Sequence, residues 1–228
     1  MIPIKDNIPT DRFPLVTLAL IVANLVVYVL ACAHGGSLIS GPDAHELARW
    51  GATPHALTGG RRSGTVFSSM FVQASIVALF GNLLFLWLFG GNVEDAMGPL
   101  PFLAYYFMGG VLALALQVAV SPESTTPIVG AAGATAALLG GYLVLYPRAR
   151  VLTLVLIPFF FTVIEVPVMV MLAVWIAVQA AFAAAGLIAP GTSAAYLNYL
   201  GGLAFGALAV RLLATRRKPT PPTAAAYR

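Results

Sequence analysis

The chain has 228 residues, of which 60% are hydrophobic and only 9% charged, at a mean hydropathy of +0.91. A soluble domain carries about 25% charged residues, so most of this surface must face lipid, and an all-α integral membrane protein is expected. The net charge of +4 is not a nucleic-acid footprint, because the basic residues lie between apolar runs and at the tail, and the single cysteine, Cys32, excludes an internal disulfide.

About 20 apolar residues cross ~30 Å of hydrocarbon at ~1.5 Å per residue. On that measure six spans are expected, over Pro14–Ala33, Ser75–Phe89, Leu100–Val120, Ile128–Tyr146, Val166–Ala184 and Tyr196–Ala214. They form one membrane domain over 14–215, preceded by a short segment 1–13 and containing a long first loop over 34–66. Val29-Leu30-Ala31-Cys32 resembles a lipoprotein cleavage box, but the run holding it outlasts a signal core of ~7–15 residues and reads as a span. The second span is short and is expected to begin nearer Phe67. The apolar segment Val151–Ile164 is broken by Pro158 and reads as an interfacial or re-entrant connector.

Lys and Arg counts orient the bundle. Lys5, Arg12, Arg148, Arg150, Arg211, Arg216, Arg217, Lys218 and Arg228 fall on one side; Arg49, Arg61 and Arg62 fall on the other, all in the first loop. Both termini are therefore expected to be cytoplasmic, and the basic, proline-rich tail 216–228 to be disordered.

Small residues mark the helix contacts. Gly130, Gly133, Ala137 and Gly140 recur at helical spacing in the fourth span, and Gly202, Gly206 and Ala209 do so in the sixth. Lipid tails are as apolar as the helices, so close backbone approach is what such residues supply. These two spans are expected to touch.

Several motifs in order resemble the bacterial rhomboid intramembrane serine proteases. They are Trp50-Gly51-Ala52-Thr53-Pro54, Ser68-Ser69-Met70-Phe71, the run from Gly81 to Gly90, Asn92 to Gly98, Glu165-Val166-Pro167, Trp175 with Gln179, Gly130-Ala131-Ala132-Gly133 and Gly201-Gly202. The resemblance implies a six-span bundle with both termini inside the cell, a water-filled cleft, and a lateral gate between spans two and five. It also implies a serine nucleophile at position 132 and a histidine base at 199, but this chain has Ala132 and Tyr199 there. Two oxyanion-side histidines are replaced by Gln73 and Ala78, while Asn82 is kept. Alanine has no lone pair to attack a carbonyl, and a tyrosine with a pKa near ~10 is a poor base at neutral pH. His34, His45 and His55 all lie at the end of span one or in the first loop.

The expected function is therefore that of an inactive pseudoprotease in the bacterial plasma membrane, binding transmembrane clients, with no cofactor, no metal and no nucleic acid. The alternatives are a residual serine-type endopeptidase with an unconventional nucleophile, and a small transporter or channel; against the latter stands the near absence of intramembrane charge. Bulky residues on spans two and five (Phe80, Leu84, Trp87; Met169, Met171, Trp175) are available to a client. Among the remaining polar residues, Asn82 and Tyr199 with Asn198 are expected to bond across the cleft. Thr135 and Ser75 should bond back to their own helices, and Glu165 should be an interfacial acid at the start of span five. Glu94-Asp95 should lie in a structural loop, the two diverging by ~100° if helical and so unable to share a ligand.

Overall fold

Glycine, proline and serine mark several of the helix ends. Gly35 closes α1 (Leu15–His34), following the strand β1 (Ile2–Asp6). The first loop then forms a two-residue hairpin, β2 (Gly36–Ser37) with β3 (Gly41–Pro42), and three short helices, α2 (Ala44–Trp50), α3 (Pro54–Thr58) and α4 (Thr65–Ser68). The hydroxyl of Ser75 accepts from the Ala78 amide and starts α5 (Ile76–Met97). Gly98, at φ 89°, turns the chain into α6 (Pro99–Val120), whose first residue is a proline. Then come α7 (Ala132–Leu145), β4 (Arg150–Ile157), β5 (Phe160–Pro167), α8 (Val168–Ile188) and α9 (Ser193–Leu213). The computed structural model describes residues 2–157, 160–188 and 193–215; the tail 216–228 lies outside the described residues.

Among the described residues, α1, α5 and α6 are long and apolar enough to cross a membrane. Ala132–Leu145, Val168–Val178 and Asn198–Leu213 are shorter apolar helical stretches. α7 sits at the centre, packed by α5, α6 and α9, and buries nearly its whole length. Phe89, Phe102, Tyr105, Tyr142 and Tyr146 fill the space around it. The Tyr105 hydroxyl donates to the Ala137 carbonyl at 2.5 Å, so even this buried ring leaves no orphaned group.

The fold is mostly helical rather than all-α. Val151–Ile164, expected as an interfacial or re-entrant connector, forms most of a β-hairpin: β4 pairs antiparallel with β5, Val151 opposite Val166 and Thr153 opposite Ile164. β1 adds to the other edge of β4, with Asp6 opposite Val151, giving the order β1-β4-β5. Val, Ile, Thr and Phe dominate the hairpin, and β-branched and aromatic side chains suit a pleated sheet. Glu165 accordingly lies on a strand, ion-paired to Arg150 at 3.5 Å. The second span also differs: it begins at Ile76 rather than near Phe67, and gains its length at the other end, reaching Met97.

That extra length carries Glu94 and Asp95, which are helical and buried rather than in a loop. Glu94 accepts from the amides of Val16 and Thr17 at 3.0 and 2.8 Å and from the Thr17 hydroxyl at 2.7 Å. α1 has no cap of its own, so a carboxylate from α5 satisfies its first turn and complements its positive end.

Asp6 ties the sheet to the helices. Its carboxylate accepts from Asn92 at 2.6 Å and from the Tyr142 hydroxyl at 2.5 Å. Burial pushes its pKa up to about 6 despite those hydrogen bonds. A carboxyl that holds its proton more tightly when folded costs nothing below its unfolded pKa of 3.8 and its full penalty above about 6. Stability in detergent should therefore rise, by up to ~3 kcal/mol, as pH falls from 7 towards 4. Thermal melts across that range should show the gain for the native chain and a flatter profile for Asp6→Asn.

Candidate functional site

The fourth and sixth apolar segments meet where small residues allow it. A Cβ on Gly202 would run into the Gly133 carbonyl, one on Gly206 into the Ala137 carbonyl, and one on Gly140 into the Leu203 carbonyl. α7 and α9 thus touch backbone to backbone. Gly201 points elsewhere, against Leu116 of α6. Gly130 is not part of the helical stripe: it precedes α7, at φ 110°, where only glycine is unstrained.

Gly130 turns the chain into α7, and its amide donates to the Ser69 carbonyl at 2.8 Å. Just upstream, Ile128 and Ala52 form a β-bridge that pins the first loop to the same turn. Ala132 is then the first helical residue and is half-buried. No side chain caps this helix, so its first amides have no side-chain acceptor and present a positive end. At Ala132 that end carries only a methyl group.

Gln73 and Asn82 come together beside Gly130. A Cβ on Gly130 would sit 3.4 Å from Gln73 Oε1 and 4.0 Å from Asn82 Nδ2. The Asn82 amide donates to Gln73 Oε1 at 2.9 Å. Gln73 in turn donates to Asn24 Oδ1 at 2.9 Å, and Asn24 Nδ2 donates to the Leu20 carbonyl at 2.8 Å. A chain of amides therefore runs from α1 to α5 with its members satisfied by one another. Asn24 was missed by sequence reasoning, although a lone amide in an apolar span was a signal for a polar partner. Ala78, half-buried, adds only a methyl to this wall.

Tyr199 is half-buried on α9, and its ring meets Trp175 of α8 edge-on at 5.4 Å and 86°. Trp175 meets Phe85 of α5 edge-on at 6.1 Å, and Phe85 stacks on Phe89 at 6.2 Å. One aromatic series thus crosses α9, α8 and α5, a geometry aromatic quadrupoles favour. Asn198, one residue earlier, is buried, its Oδ1 without a hydrogen-bond partner and in the space a Cβ on Gly133 would enter. Gln179 lies where no side chain is described.

Two hydroxyls differ from expectation. Ser75 caps α5 rather than bonding back within it, and Thr135, buried on α7, makes no hydrogen bond to its own helix. The histidines stand apart from this site: His34 bonds the Leu30 carbonyl, His45 lies by Glu46 and His55 by Glu123. Among the described residues no three His, Cys, Asp or Glu side chains gather as a metal would require.

A family model described as the Rhomboid domain matches residues 61–216. No curated protein matches the chain.

Proposed function

Because the chain belongs to the rhomboid family, we propose that it is an integral membrane protein that keeps the family's cleft and has lost its chemistry. It has six spans, α1, α5, α6, α7, α8 and α9, with both termini cytoplasmic, in a bacterial plasma membrane. Ala132 stands at the nucleophile position and Tyr199 at the base position, with Gln73 and Ala78 in place of the oxyanion-side histidines. The protein is a pseudoprotease that binds transmembrane segments of client proteins.

The observation that carries this reading is the closed pairing of Gln73 with Asn82 beside a helix start that bears a methyl. Acyl transfer needs a nucleophile, a base and free donors for the developing oxyanion. Here the first two are replaced, and one N–H of the Asn82 amide is taken by a neighbour. The client surface is the lipid-facing side of α5 and α8, where Phe80 is 71%, Trp87 62% and Met169 49% exposed. Leu84, Met171 and Trp175 lie half-buried behind them.

The test is direct. Purified protein in proteoliposomes should take up no serine-directed fluorophosphonate and cleave none of a panel of transmembrane substrates. Photocrosslinkers at Phe80 and Met169 should nevertheless capture transmembrane peptides, and crosslinks absent from both positions would remove the client-binding half of the reading. Labelling at any residue would remove the other half.

A further inference from the structure

The sheet β1-β4-β5 has two outer edges, and they are built differently. The β1 edge carries Pro3, Lys5 and a register shift between them, each a device that keeps further strands from adding. The β5 edge has none of these. It pairs with β4 in unbroken register from Phe160 to Pro167, and among the described residues no strand lies on its other side. Its one proline is its last residue, and its one charge is Glu165. Val151–Ile164 has no charged residue at all, so the hairpin belongs against lipid rather than water. Lipid offers nothing to the amides and carbonyls of an open strand.

The β5 edge is also continuous with a helix face. Pro167 is followed directly by Val168, the first residue of α8, with no loop between them. Ile164 is exposed, and past the junction Val170, Val174 and Val178 recur at helical spacing as an exposed stripe. A helix lying on that stripe, as the client surface proposed above requires, brings whatever flanks it to the β5 edge. Glu165 stands at the junction. Its ion pair to Arg150 is long, at 3.5 Å, and 27% of its side chain stays exposed, so a second cation can reach it.

We propose that the β5 edge takes the cytoplasmic flank of a client's transmembrane helix as an added antiparallel strand. The inference rests on the client-binding reading and names the part of the client that is read. A client helix that ends in the cytoplasm runs opposite to α8, so its flank runs opposite to β5, the more stable pairing. The first flanking residue falls beside Glu165, where membrane helices commonly carry Lys or Arg. The following residues lie along Phe160–Ile164. Main-chain hydrogen bonds supply the affinity, so the flank need only be extended, free of proline and rich in Val, Ile or Thr.

The experiment places benzoylphenylalanine at Thr162 and, separately, at Met169 of the full chain in proteoliposomes. The probes are two synthetic peptides with the same leucine-rich helix, one flanked by Lys-Val-Thr-Val-Thr-Val and the other by Lys-Pro-Thr-Pro-Thr-Pro. Met169 should capture both. Thr162 should capture the first, and the second about tenfold less, because proline removes main-chain donors from the added strand. Glu165→Lys should reverse the preference at Thr162 between lysine and glutamate as the first flanking residue, which a purely structural Glu165 would not do. Capture of both peptides by Met169, with none or no preference at Thr162, would overturn the strand addition and leave the client surface standing. Capture of a second copy of the chain at Thr162 in place of peptide would overturn it too, since the edge would then be closed by self-pairing. No capture at either position would overturn both readings.

Discussion

Replacing Gly206 by alanine should cost at least ~3 kcal/mol and separate α9 from α7, whereas the same change at Gly81 should be neutral or stabilising by up to ~1 kcal/mol. The two glycines sit in different surroundings. A Cβ at Gly206 would overlap the Ala137 carbonyl oxygen, carbon and Cα, which are backbone atoms of a helix and cannot swing aside. At Gly81 no neighbouring atom lies within 4 Å, so an added methyl only removes backbone freedom from the unfolded chain. Without a hydrophobic force between helices in lipid, packing at close range is what holds α7 against α9, and a displacement of one ångström forfeits much of it. Thermal unfolding in detergent should rank the variants Gly81→Ala, native, Gly202→Ala, Gly206→Ala in falling order. A Gly206→Ala midpoint equal to the native one would mean that the α7–α9 contact contributes nothing to stability.

Ala132→Ser alone should give no fluorophosphonate labelling, and Ala132→Ser with Tyr199→His should give the first that is detectable. A serine at the start of α7 supplies an oxygen but no means of deprotonating it; a histidine on α9 supplies the base. Even then turnover should stay about 10²–10³-fold below a competent site, because one oxyanion donor is missing. The Asn82 amide is held by Gln73 Oε1, and releasing it requires breaking a chain that runs back to Asn24. Gln73→His should therefore raise the double variant's rate, and it should have no effect on the native chain. Removing Tyr199 also removes the edge contact to Trp175, so α8 should loosen in the same variants. Hydrogen exchange across Val168–Val178 would report that loosening separately from chemistry.

The long helices were legible because hydropathy over a window needs no tertiary information. Observed ends at Leu15, Pro99 and Leu213 fall within one residue of the expected ones. The glycine faces were legible as well, since helical spacing alone put Gly133 and Gly140 on one side and Gly202 and Gly206 on another. The sheet was not. Val151–Ile164 is uniformly apolar, so neither the alternation of a half-buried strand nor the length of a span could assign it, and its partner Ile2–Asp6 lies almost the full chain away. Glu94 escaped for the same reason: its acceptors' partners, Val16 and Thr17, are 78 and 77 residues distant. At the site, the family resemblance grouped Gln73 with Asn82, whereas Gly130 was expected in the helical stripe of the fourth span. It could not assign the hydrogen bonds, because an amide pairs with whichever group the packing brings near.

The position of β1 sets an order on biogenesis. Ile2–Asp6 is made well before its strand partner among the described residues, Arg150–Ile157, which emerges some 150 residues later, after α1, α5, α6 and α7. At a synthesis rate of about 5–20 residues per second that interval is on the order of ten seconds. Throughout it the leading strand is an open edge, available to any extended segment that reaches it. Asp6, Asn92 and Tyr142 can meet only after both helices have inserted, so the arm locks late although it is made early. A folded domain placed directly before Ile2 would burden this late closing step.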